Sequence, residues 1–131
     1  RANRRRQRVL VDAAFDAAVI KTEIATMVAA LGHERYLILG VTNRSTEPAG
    51  STGYNDIVAL NTDLGILYGS HFVDIRAELV TAYDPLISQD VTDHTNDVPP
   101  SSLRNGTTHY NAAGNLVIAS ILSTHFSELF P

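Results

Sequence analysis

The chain has 131 residues, of which 44% are hydrophobic and 18% are charged, with a formal net charge of −4. This balance predicts one globular domain, residues 1–131, with a core of its own. The absence of cysteine excludes disulfides and thiol catalysis, and no apolar run is long enough for a transmembrane helix, so we expect no membrane partner.

The basic residues are unevenly placed, since five of the ten lie within residues 1–8, which we call the basic arm. The rest of the chain is acidic, and it would repel the phosphates of a nucleic acid. No aromatic residues are interleaved with the basic arm to stack on bases. We therefore predict a solvated or partner-contacting arm and no nucleic-acid partner.

The first predicted helix begins at about Asp12 or Asp16 and ends at Leu31, because apolar residues recur every three or four positions and Gly32 follows. Residues 36–41 form a nearly unbroken apolar run, which is typical of a central parallel strand covered on both faces. A polar loop at residues 43–53 and a second helix at about residues 54–67 come next, the helix closing at Gly69.

Residues 72–75 are predicted to form a short strand, followed by a brief helical segment at residues 76–83 that the Asp84-Pro85 pair ends. For Asp74 we favour a structural role over a catalytic one. The loop at residues 84–108 has little apolar periodicity, and a loop of this length usually signals function or disorder.

Four side chains in this loop could either bind a hard cation or form a solvated acidic surface: Asp90, Asp93, His94 and Asp97. Oxygen ligands suit such a cation, but the spacing matches no calcium loop. We favour the solvated surface, so the sequence predicts no metal site and no cofactor.

The last predicted helix carries apolar residues at three- and four-residue spacings and follows a polar segment that contains His109. Asn111 is placed to cap its first turn, and Gly114 allows close packing. A histidine at such a junction is either a capping or core-edge residue or a catalytic base presented from a loop.

The alternation of helices and strands predicts an α/β domain with three layers and a parallel sheet. Ligands of such sheets bind beyond the carboxyl ends of the strands, where the loops at residues 43–53 and 84–108 should meet. Two clear strands are few for this architecture. Either residues 8–11 add a strand, or other polypeptide completes the sheet.

Ser102-Leu103-Arg104, followed by His109, Asn111 and Gly114, resembles the last conserved block of the SGNH (GDSL-type) hydrolases. The resemblance covers the C-terminal half of such a domain and implies an SGNH/flavodoxin-like fold that this chain holds incompletely. It also implies that an ester, commonly an acyl group on a carbohydrate or lipid, is cleaved through an acyl-serine intermediate. His109 would then be the catalytic base.

The chain departs from the family pattern at the acid and at the nucleophile. Gly106 or Asn105 stands where the family has the triad aspartate. Either a dyad held by a backbone carbonyl keeps part of the activity, or Asp93 or Asp97 substitutes for the aspartate. No Gly-Asp-Ser motif is present, and Ser51 and Ser70 have the context of ordinary turn residues.

The first three residues resemble the end of the family's asparagine-bearing block, which would make Asn3 an oxyanion-hole donor. The missing first half and the start at Arg1 lead us to expect a longer parent protein that hydrolyses a small-molecule or carbohydrate ester. We also expect pairing with the missing polypeptide or a homo-oligomer. The alternative is a catalytically silent binding or structural module. The compartment stays open.

Overall fold

The computed structural model describes residues 15–131. These residues divide into two compact units, with the boundary between Glu34 and Arg35, and the second unit ends at Pro131. In the first unit, helix α1 spans Ala17–Leu31. The Asp16 carboxylate accepts hydrogen bonds from the first-turn amides, and Gly32 ends the helix with a φ of 68°. The predicted helix and its stop are confirmed. The basic arm, Asn3 and the proposed strand at residues 8–11 lie outside the described residues.

The second unit begins with two parallel strands that are joined by a crossover helix. These elements are β1 (Ile38–Leu39), α2 (Thr52–Tyr68), a 3-10 turn (Gly69–His71) and β2 (Phe72–Val73). Leu60 and Leu64 on α2 are fully buried, as is Val73 on β2. The second predicted helix is therefore confirmed, and its buried face packs next to the strand pair.

Helices and a short hairpin complete the second unit. They are α3 (Ile75–Thr81), α4 (Ser88–Thr95), a 3-10 turn (Ser101–Leu103), the antiparallel strands β3 (Arg104–Asn105) and β4 (His109–Tyr110), and α5 (Ala112–Leu129). The apolar core here joins Ile75, Leu79 and Leu103, against which Val117 and Ile121 of α5 pack. This core ties α3 and α5 to the segment that precedes the hairpin.

The predicted three-layer α/β, SGNH/flavodoxin-like architecture is wrong for the described residues. They are mostly helical, and their strands form two separate two-stranded sheets. The apolar run at residues 36–41 is paired in register only at Ile38 and Leu39, because β2 ends at Val73, where Asp74 caps α3. At Val41, the side chain of Asn61 binds the backbone in place of a partner strand. Its Oδ1 accepts from the Val41 N–H and its Nδ2 donates to the Val41 carbonyl, both at 2.8 Å.

None of the helices described in residues 15–131 is long and apolar enough to cross a membrane.

Candidate functional site

The loops at residues 43–53 and 84–108 meet beyond β1, as the sequence predicts. The backbone N–H of Ser45 donates to the Thr107 carbonyl at 3.1 Å, and that of Ala49 donates to the Asn96 carbonyl at 2.9 Å. Asn43 adds a side-chain bond, from its amide nitrogen to the Asp97 carbonyl at 3.1 Å. Charged side chains beneath this junction form a buried polar network, which is our candidate functional site.

Asp90 is the most buried carboxylate of the network, with no exposed surface. It accepts hydrogen bonds from the Ser101 hydroxyl at 2.6 Å, the Ser102 hydroxyl at 2.5 Å and amide at 2.9 Å, and the Asp84 amide at 3.1 Å. Burial by itself raises the pKa of Asp90, but these four donors outweigh burial and lower the pKa to about 2. The carboxylate therefore stays charged, and it ties α4 to the segment before β3.

Asp93, one turn further along α4, forms a buried ion pair with Arg104. The distance from its Oδ2 to the Arg104 Nη2 is 2.6 Å, and the two side chains are 5% and 8% exposed. Arg104 also donates to the carbonyls of Pro99 at 2.7 Å and Gly106 at 2.6 Å. A planar guanidinium suits three such directed bonds. Arg104 consequently holds the turn of the β3–β4 hairpin against α4.

Asp97 is the third carboxylate of the network. Its φ of 54° is unusual for a residue other than glycine. Its carboxylate accepts hydrogen bonds from Tyr54 Oη at 2.5 Å and from Arg76 Nη2 at 3.0 Å. Burial raises the pKa of Asp97, but the bonds from Arg76 and Tyr54 outweigh it, so that the pKa lies below its ordinary value. The hydrogen bond that Tyr54 donates to Asp97, together with burial, raises the pKa of Tyr54.

The prediction of a solvated acidic surface is wrong for Asp90 and Asp93, which are both buried. The segment is not a continuous loop either, because α4 lies within it and presents these two carboxylates from neighbouring turns. A signal was present in the sequence: carboxylates three residues apart, with Ser101, Ser102 and Arg104 downstream to pair with them. Within residues 15–131, no three potential ligands come close enough to hold a metal ion.

His109 is exposed on β4, opposite Asn105 in the hairpin register and two residues before the cap of α5. In the part of the chain that the structure describes, no carboxylate and no serine lies within hydrogen-bond distance of its ring, although the backbone around it is tightly held. Asn111 accepts from the Gly114 amide at 2.9 Å and donates to the Ser102 carbonyl at 2.8 Å. The predicted cap is confirmed, but the described residues bring no catalytic partner to His109.

The other residues considered for catalysis have structural positions. Ser51 caps α2, accepting from the Tyr54 amide at 3.3 Å, and Asp74 caps α3, accepting from the Ala77 amide at 3.1 Å. The structural role predicted for Asp74 is confirmed. Neither Asp93 nor Asp97 is free to orient an imidazole, because each carboxylate already binds an arginine.

A second surface feature of the same unit is an apolar groove of about 510 Å³ between β1 and α5. Its lining is mainly Leu37, Leu39, Ala119, Leu122 and Phe126, with two serines of α5. Among the described residues, β1 pairs with β2 and with no strand on its other side. Leu37 and Leu39 line one side of the groove and α5 lines the other, and Leu39 and Phe126 are each 40% exposed.

Comparison with known proteins gives one partial similarity. No protein-family model matches the chain, and no solved structure matches it. The tail spike protein of Salmonella phage epsilon15 is 32% identical over 93 residues. That alignment covers 67% of this chain and 9% of the phage protein, so the chain corresponds to under a tenth of the relative's length.

The mostly helical structure overturns the predicted α/β architecture, and neither the structure nor the tail spike relative supports the resemblance to the SGNH (GDSL-type) hydrolases, which stays a prediction. The described residues are mostly helical, and the relative that was found is named a tail spike protein. An acyl-serine mechanism needs a nucleophile, a base and an oriented acid in contact. The described residues assemble no such set.

Proposed function

We propose that this chain is a non-catalytic structural module of a longer protein of the phage tail spike type, and that further polypeptide of the same protein packs on its β1 edge. The similarity to a tail spike protein, limited to 9% of that protein, supports a role as one part of a longer chain. The observation that carries the proposal is the open strand edge beside an apolar groove.

The buried network supports a structural role because each of its carboxylates is bound by other groups of the protein. Asp90 binds two serines, Asp93 binds Arg104 and Asp97 binds Arg76. Buried ion pairs add little net stability over apolar packing, but removing one partner is costly. Such a network specifies one arrangement of the loops and hairpin, which suits a module whose shape is its contribution.

The β1 edge supports packing against further polypeptide. An open edge presents unpaired backbone groups that a further strand can bind, and natural proteins commonly protect such edges. The adjoining groove offers apolar side chains from both β1 and α5 to cover. An extended apolar segment would satisfy the backbone groups of β1 and fill the groove at the same time.

The test is co-expression of the chain with the flanking polypeptide of the same gene, followed by co-purification and light scattering. We expect the native chain and the Ile66→Glu control, whose side chain is 78% exposed on α2, to bind the flanking polypeptide. Leu39→Glu, in the groove, should lose binding while it keeps the native circular dichroism spectrum. Equal binding by both variants, or a cooperatively melting monomer that does not associate, would contradict the proposal.

Ester hydrolysis by a longer parent remains a prediction, with His109 as its base. For the 131-residue chain, we expect turnover of p-nitrophenyl acetate to be the same in the native protein, in His109→Ala and in the control His33→Ala, because the described residues give His109 no nucleophile to activate. A rate that falls only in His109→Ala would show that the chain is catalytic. Ser51 would then be the first serine to replace.

A further inference from the structure

The turn of the β3–β4 hairpin contains an Asn-Gly pair, Asn105-Gly106, which is the one such pair in the sequence. Asn105 is exposed at the end of β3. Gly106 has a φ of 67°, and no atom lies within 4 Å of the position that a β-carbon would occupy. Nothing therefore shields the Asn105 side chain or the peptide bond that follows it.

We propose that Asn105 is a site of spontaneous deamidation, and that the product places a carboxylate opposite His109. The backbone nitrogen of Gly106 attacks the Asn105 side-chain carbonyl carbon, and ammonia leaves as a five-membered succinimide forms. Water then opens this ring at either carbonyl, giving aspartate or isoaspartate. The reaction needs only water, and the absent glycine side chain leaves the attack unhindered.

Of the other asparagines of the folded unit, Asn55, Asn96 and Asn115 are also exposed, but each is followed by a residue with a side chain that hinders the attack. The remaining three are better protected. Asn43 and Asn61 are buried, and their amide groups bind backbone carbonyls. Asn111 is held at both ends of its amide group by Ser102 and Gly114. The contrast predicts that Asn105 reacts first in the folded protein.

The position of Asn105 determines what its modification changes. Asn105 and His109 are register partners in the antiparallel hairpin, and directly opposed residues on one face place their β-carbons roughly 4.5–5.5 Å apart. Deamidation adds one negative charge at this spot, facing an imidazole on the neighbouring strand. The hairpin, held by Arg104 through the Gly106 carbonyl, keeps the two side chains together.

The experiment incubates the folded protein in mildly alkaline buffer and follows each asparagine by peptide mass spectrometry. We expect Asn105 to convert before any other asparagine and an acidic species to accumulate on ion exchange in parallel. Asn105→Ser should abolish that species, and Gly106→Ala should slow its formation. An unfolded synthetic peptide of residues 101–110 serves as the positive control for the chemistry. Reaction of the peptide without reaction of the folded protein would overturn the proposal.

The facing arrangement has a separate readout in the histidine ring resonances. In Asn105→Asp, and in the aged protein, NMR should show a displaced His109 ring signal while the His33 and His125 signals stay in place. Equal displacement of all three, or of none, would show that the new carboxylate does not face His109.

Discussion

Replacing Asp90 by asparagine tests whether the buried network stabilises the fold. The substitution keeps the size of the side chain but removes its charge and offers an N–H₂ group where four donors converge. The two serine hydroxyls can reorient, but the amides of Asp84 and Ser102 cannot, so at least one buried donor loses its acceptor. An unsatisfied buried group of this kind costs about 1–3 kcal/mol.

The pKa of Asp90 gives an independent magnitude. It falls from 3.8 for an unperturbed group to about 2 in the folded protein. At 1.36 kcal/mol per pKa unit, this difference corresponds to about 2.5 kcal/mol of stability. Because the folded pKa is the lower one, the contribution is complete above pH ~5 and is lost as the pH falls through the folded pKa near 2.

We therefore expect Asp90→Asn to lower the free energy of unfolding at neutral pH by about 2–3 kcal/mol, measured by urea denaturation. The deficit relative to the native protein should shrink as the pH falls from 5 towards 2. Asp56→Asn makes the same change of charge at an exposed position of α2 and should be nearly neutral. A deficit below ~0.5 kcal/mol, or one that does not vary with pH, would refute the reasoning.

Two further predictions concern packing and the buried ion pair. A methyl group at Gly114 would overlap the Leu103 backbone oxygen, so Gly114→Ala should lower the free energy of unfolding by about 2–3 kcal/mol, measured by thermal or urea denaturation. The control is Gly65→Ala, whose β-carbon meets only ordinary contacts and which should be neutral or stabilising by up to ~1 kcal/mol. Similar effects at both glycines would contradict this. Arg104→Met should lower the free energy of unfolding by about 3–5 kcal/mol, because it leaves the Asp93 carboxylate buried without its ion-pair partner. Adding Asp93→Leu should recover part of this stability. A double variant that is less stable than Arg104→Met alone would contradict the prediction.

Local elements could be predicted from the sequence because their causes lie within a few residues. Helix α1 ends at Gly32, α2 ends before Gly69 and Asn111 caps α5, since capping and helical periodicity depend on neighbours along the chain. The contact between residues 43–53 and 84–108 was also predicted, but from a parallel sheet that the described residues do not form, since residues 84–108 follow α3 and not a strand.

Tertiary structure decided the remainder. The apolar run at residues 36–41 pairs over two residues because strand length is set by the partner strand, which composition does not reveal. The carboxylates of α4 are buried because Ser101, Ser102 and Arg104 return to meet them, and a charge is buried or solvated according to partners that are distant along the chain. For the same reason, the sequence placed His109 beside a helix, but only the fold showed that the described residues bring it no catalytic partner.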